Sequence, residues 1–250
     1  MISSDPARFY LDGEYASLNP SWDSDDSTWK AALVADLLER HALQPRTLVD
    51  VGCGAGAVLA ALRSRLPDCT LHGWDIAPGA ARFWPAHPGI AFTQGDFLND
   101  NRQAFDVLLL LDVVEHVANP HDFLARVAPS ARHVVLHFPL DLSVASVLRE
   151  SPLLQQRRQV GHIHYFTRNL AIALLAECGY EIVDARFSGA HLRPRGTTTG
   201  KLASLARRAV FALDREVGVR LLGGDTLIVL ARSPAGSGGR VDDPRKGSSP

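Results

Sequence analysis

The stretch Leu48-Val49-Asp50-Val51-Gly52-Cys53-Gly54-Ala55-Gly56 constrains the chain most: an apolar run closing on an acid, then three glycines at alternate positions. Such a run is a buried strand passing into a helix through a turn with almost no side-chain bulk, so that a ligand can lie against bare backbone. A glycine turn alone is also an ordinary tight turn. Here Asp75 closes a second strand-like run, Cys69 to Trp74, 25 positions after Asp50. That is close to the interval of about 20 residues at which a βαβ unit sets an acid against a ribose diol. Two more signals follow in order: Gly95-Asp96-Phe97, and the run Phe105 to Asp112 continuing into Val113-Val114-Glu115-His116-Val117.

Strands are expected at 46–51, 69–75, 90–94, 105–111, 132–138, 180–187 and 227–231, with helices at 55–66, 78–86, 120–128 and 167–178 between them. This alternation argues for an α/β fold with a parallel, doubly wound sheet covered by helices on both faces. The apolar runs at 107–111 and 134–138 suit strands buried on both sides. A capped helix should run from Ser27 or Asp26 to about His41, stopped by Pro45. Residues 1–25, polar with scattered Phe9, Tyr10, Tyr15 and Trp22, read as a partly irregular arm, either a lid over a site or an anchor for the first helix. A main domain is expected over 26–232, carrying an insertion at 189–223. In it Leu202, Leu205, Ala206, Ala209, Val210 and Leu213 recur at helical spacing and most simply pack on the sheet edge. The Ser/Gly/Pro-rich stretch 233–250 reads as a disordered tail.

With 250 residues and a formal net charge of −1, the chain has no basic surplus for tracking phosphates, which disfavours nucleic acid as a partner. Cys53, Cys69 and Cys178 have neither ligand-pair spacing nor the count of a disulfide framework, as in a cytoplasmic protein with free thiols. Neither a secretory signal nor an apolar run of about 18 residues is present, so a soluble protein is expected. Its oligomeric state is left open.

Together these residues resemble the class I S-adenosylmethionine-dependent methyltransferases over about residues 46 to 187, with the motifs in the family's order. The resemblance implies a mostly parallel seven-stranded Rossmann-like sheet and S-adenosylmethionine as cofactor. By the same resemblance, Gly52, Gly54 and Gly56 let the backbone approach the methionine portion, and Asp50 supports its amino group. Asp75 would accept both ribose hydroxyls, Ile76 would press on adenine, and Asp96 with the amide of Phe97 would hold the ring. Asp112 would close the site near the sulfonium. A side chain at Gly54 would collide.

Methyl transfer is an in-line displacement at an already activated carbon, so alignment is the protein's main task. A hydroxyl acceptor would also need a base, which suits histidine. His116, His137, His162 and His164 are the plausible ones, and His116 is favoured because it follows Asp112. Asp112 to His116 also looks like the segment that binds a divalent ion in quinone-pathway O-methyltransferases, which carry Glu in place of Asp112. Metal-free relatives have Glu-His here too, and the expectation is a small-molecule O-methyltransferase without a metal. His162 and His164, lacking a nearby acid in sequence, read as packing or substrate contacts. Gly52-x-Gly54-x-x-Ala57 also satisfies a dinucleotide fingerprint, so a nicotinamide-dependent oxidoreductase is the rival enzyme. A non-catalytic module that keeps the fold is the third account.

Overall fold

The chain runs β1 (Thr47–Val51), β2 (Thr70–Asp75) and β3 (Ala91–Gln94) outward on one side, then crosses back to β4 (Phe105–Leu111) and β5 (Ala131–Pro139). It ends on β6 (Glu181–Phe187) and β7 (Thr226–Arg232). The hydrogen-bonded order is β3-β2-β1-β4-β5-β7-β6. The computed structural model describes residues 6–22, 24–190, 210–211 and 213–234. Most of the expected helix at 202–213 and of the tail at 233–250 therefore lies outside the described residues.

Direction of travel reverses between β1 and β4, both of which run parallel to each other and to their outer neighbours. In such sheets the crevice for a ligand opens beyond the carboxyl ends of the two strands at the reversal. The sheet is not wholly parallel. β7 inserts antiparallel between β5 and β6, with Val135 opposite Leu230 and Ala185 opposite Val229. The expected mostly parallel sheet is thus a mixed one, with this single strand antiparallel to both of its neighbours.

Alternate residues of the central strands feed two cores. Val49, Leu108, Leu110, Leu136 and Phe138 face one side with the helices Pro120–Val127 (α7) and Arg168–Glu177 (α10). Leu48, Val107, Leu109 and Val135 face the other, against Val34, Leu37 and Leu38 of Ser27–Arg40 (α3) and Leu59 and Leu62 of Ala57–Arg63 (α4). Local chemistry sets the helix starts. Asn119 accepts the Asp122 amide ahead of Pro120, and Thr167 accepts the Leu170 amide.

Several elements differ from expectation. The helix at 78–86 is a short turn, Pro78–Ala81 (α5), followed by a 3-10 turn at Trp84–Ala86. Pro85 cannot donate the bond that would continue α5. Two helices, Val144–Arg149 (α8) and Ser151–Gln159 (α9), lie where none was expected. A Ser143–Ser146 capping box starts the first, and the second is too polar to show an apolar period. The arm is more ordered than its composition implies: Arg8–Leu11 (α1) and Glu14–Leu18 (α2) are helical, and Tyr15 and Trp22 are buried against Ala55, Ala77 and Ala80. Phe138 is fully buried near the carboxyl end of β5. Phe138→Ala should destabilise the fold by about 3–5 kcal/mol in denaturant titration, the usual cost of emptying a packed aromatic site.

Candidate functional site

At the strand reversal the backbone after β1 is folded back on β2. The amides of Gly52 and Cys53 both donate to the carbonyl of Trp74, at 2.7 and 3.1 Å. The Asp75 carboxylate then accepts the Gly54 amide at 2.8 Å on one oxygen and the Ala77 amide at 2.8 Å on the other. Gly54 has a φ of +52° and Gly56 one of +78°, a region where a Cβ is strained. A Cβ at Gly56 would also stand 2.5 Å from Phe92, whereas one at Gly54 would meet only Trp22 at 3.6 Å. The expected collision at Gly54 is thus not with the protein, and its glycine is required by backbone conformation. Gly56 is not among the cavity-lining residues and packs the turn against Phe92 of β3.

The turn opens on a cavity of about 1100 Å³. Asp50, Gly52, Gly54, Asp75, Ile76, Asp96, Phe97, Asp112 and His116 all line it, so nine of the ten residues expected to form the site share one space. Asp50 is buried with one oxygen lacking any hydrogen bond, and burial pushes its carboxyl up to about 8, with Lys30 opposing. Asp96 caps the helix Phe97–Asp100 (α6), accepting the Leu98 amide at 3.0 Å. The Phe97 ring is buried edge-on against Trp74.

Asp112 is the most constrained of the set. Its backbone is left-handed, with φ +58°. One oxygen meets His137 Nδ1 at 2.6 Å and the other meets Lys30 Nζ at 2.6 Å, while His137 Nε2 reaches the Thr226 hydroxyl at 2.7 Å. Burial alone would raise the Asp112 carboxyl, but the His137 and Lys30 charges hold it well below the usual carboxylate range. Lys30, from α3, gave no signal in sequence because its helix precedes every motif.

His116 follows Asp112 on a 3-10 turn, Val114–His116, and its ring packs on Tyr10 and His162. Burial first, and then the His162 charge, push its imidazole down to about 4. His162, expected to pack or to contact substrate, has its Nδ1 2.7 Å from Asp141 Oδ2 and lines the same cavity. The acid missing from its sequence neighbourhood is supplied by a residue 21 positions upstream. His164 turns instead to the Val117 carbonyl at 2.9 Å. Within the segment that resembles the ion-binding one of quinone-pathway enzymes, the Asp112 carboxylate contacts Lys30 and His137. The ligand-capable atoms that do converge, within 4.8 Å of one another, belong to Glu115, His116 and His162.

A glycine turn and paired acids at the reversal point of a doubly wound sheet define a nucleotide-type cofactor site of the methyltransferase kind. Residues 25–185 match the model of the methyltransferase domain, and the chain belongs to that family. It is 35% identical over 99 residues to a trans-aconitate 2-methyltransferase of Methylobacterium nodulans, a match covering 38% of each chain. It is 34% identical over 113 residues to a ubiquinone biosynthesis O-methyltransferase of Azorhizobium caulinodans, covering 39% of this chain and 44% of the relative. The chain thus spans well under half the length of these curated relatives. Among solved structures, the plantazolicin methyltransferase BpumL, in complex with a monoazolic desmethylPZN analogue and S-adenosylhomocysteine, superposes with a TM-score of 0.60 at 16% identity. That match covers 92% of this chain and 93% of that one.

The unpartnered Asp50 has a measurable consequence. Its folded value near 8 lies above the unfolded value of about 3.9. Between those limits the folded protein holds a proton that the unfolded chain has lost, so stability falls as pH rises through this window. Asp50→Asn should therefore raise the melting temperature of the ligand-free protein at pH 7, with the gain shrinking toward pH 4.

Proposed function

We propose that this protein transfers the methyl group of S-adenosylmethionine to an oxygen nucleophile on a small-molecule acceptor. The observation that carries the reading is the pairing of a bare glycine turn with two differently disposed acids. Asp75 is anchored by two amides and keeps lone pairs for a ribose diol, while Asp50 is buried and short of one partner, as a site for an ammonium group requires. Membership of the methyltransferase-domain family and a fold neighbour that binds S-adenosylhomocysteine support the cofactor. The two curated relatives are named for trans-aconitate and for ubiquinone biosynthesis, which supports a small acceptor.

In this reading Asp50 and the turn hold the methionine portion, Asp75 the ribose, and Ile76, Asp96 and the Phe97 backbone the adenine. Asp112 borders the transfer point. The cofactor supplies a methyl group already activated by positive sulfur, so the chain's own residues chiefly align the nucleophile and exclude water. His116 meets the acceptor, though not as a lone base. With its proton affinity reduced to about 4 it is a weak proton acceptor near neutrality. Removal of the hydroxyl proton is accordingly assigned to the wall formed by His116, His162 and the buried Glu115 together. Tyr10, Tyr15 and Trp22 of the arm cover the turn from outside and are proposed as a lid.

Asp75→Ala should weaken S-adenosylhomocysteine binding by about 1–3 kcal/mol in calorimetry, the cost of leaving ribose hydroxyls unpaired; equal affinity would refute the ribose assignment. Titration with NADH in the same instrument tests the dehydrogenase reading, and binding of NADH alone would reverse the proposal. His116→Ala should lower the rate on a hydroxyl acceptor about 10²–10⁴-fold with cofactor affinity retained.

A further inference from the structure

Gly54 is held on both sides of its own Cα. Its amide goes to Asp75, and its carbonyl accepts the indole Nε1–H of Trp84 at 2.9 Å. Both partners belong to the stretch that leaves β2, so residues 75 to 84 clasp the turn after β1 at two points. A glycine at φ +52° has many other conformations open to it, because no Cβ confines it. A hydrogen bond on each of the two flanking peptide groups removes that freedom.

Trp84 is itself seated. Its ring stacks on Phe92 of β3, with centroids 5.0 Å apart and planes 7° from parallel. Phe92 in turn occupies space that two glycines leave open, since a Cβ at Gly56 or at Gly73 would stand 2.5 Å from its ring. Gly73 lies inside β2, level with Phe92 on one neighbouring strand and with Asp50 on the other. A glycine in a strand interior weakens it and marks a place where another group approaches closely. Here that group is Phe92, and the clearing it fills is what sets the height of the indole above the turn. A half-buried Trp can give its N–H to water. This one gives it to a peptide unit that borders the cavity.

We propose that Trp84 is a positioning residue for the cofactor: through the Gly54 carbonyl it holds the glycine turn in the shape that receives the methionine portion. The inference rests on the proposed methyl-transfer reading and deepens it. Trp84 is not among the residues lining the cavity, so it acts through Gly54 and touches no ligand. The turn sets where the sulfur lies, and alignment is most of what the protein supplies to this reaction. Loss of the indole donor frees the Gly54–Ala55 peptide, whereas Asp75 keeps its second amide, from Ala77, and its place against the ribose. The damage therefore falls on the amino-acid end of the cofactor and spares the adenosine.

Calorimetry with S-adenosylhomocysteine and with methylthioadenosine, which has the adenosine but lacks the amino-acid portion, separates positioning from packing. Trp84→Phe keeps a ring on Phe92 and loses the donor. It should weaken S-adenosylhomocysteine about 3–10-fold, the range of one net hydrogen bond, and leave methylthioadenosine within about twofold of the parent. Phe92→Leu, which unseats the indole, should give the same one-sided loss. A general loosening of the fold would weaken both ligands alike. Equal loss for the two ligands, or unchanged S-adenosylhomocysteine affinity in Trp84→Phe, overturns the proposal and leaves the cofactor reading intact. If Trp84→Phe fails to fold, Phe92→Leu decides by the same comparison. A parent protein that does not bind S-adenosylhomocysteine overturns the cofactor reading itself, and this proposal with it.

Discussion

The Asp75 carboxylate is the contact on which the site depends. Its two oxygens accept one amide from the glycine turn after β1 and one from the residue two positions beyond the end of β2. A single buried acid thereby ties the two loops together, adding to the Gly52 and Cys53 amides on the Trp74 carbonyl. Burial raises its proton affinity and the two amides lower it, so the bonds that shape the turn also favour the charged form. Each carboxylate oxygen has a second lone pair. The anchor of the turn can therefore serve as a ligand for a diol without being released from its structural task.

The other acids along the same sheet end differ in kind. Asp112 stands in a left-handed conformation that costs of order 1–3 kcal/mol for a residue with a side chain, and it is held there by a lysine from one element and a histidine from another. Asp50 and Glu115 have buried oxygens with no partner. Strain and desolvation are placed side by side at the strand reversal, where they reduce stability in the ligand-free state and are relieved by cationic groups. Of the two acids left short of partners, Asp50 is the one proposed to face an ammonium group.

The frame was legible because it rests on local patterns. Apolar runs, the glycines and the acids at strand ends all lie within a few residues of one another, and strand bounds fell within a residue or two of expectation along most of the sheet. The antiparallel β7 was not legible, since its apolar run suits either direction and only its pairing with β5 decides. Lys30, Asp141 and the true surroundings of His162 were also missed. Each acts across a long sequence separation, Lys30 on Asp112 and Asp141 on His162, and no periodicity encodes which distant side chain will face a given one. Asp225 shows the same limit. It is buried and accepts amides of Gly189, Ala190 and Thr226 together with the Arg215 guanidinium, joining the end of β6, a helix and the start of β7 through one side chain.

The acceptor half of the cavity follows a different logic from the cofactor half. A space of about 1100 Å³ is larger than the range of about 300–1,000 Å³ usual for a single small ligand, so a cofactor leaves room beside it. The walls of that remaining room come from outside the sheet. The arm reaches across to the end of α9, where the Tyr10 hydroxyl donates to the Val160 carbonyl at 2.9 Å and the Asn19 amide to the Gln159 carbonyl at 2.8 Å. The arm precedes residue 25, where the family match begins, and the Ala190 and Asp225 side of the cavity follows residue 185, where it ends. The shared frame thus holds what every member needs, a cofactor grip on rigid strand ends. The segments that would choose the acceptor are added to it from both ends of the chain, where residues can change without disturbing the sheet.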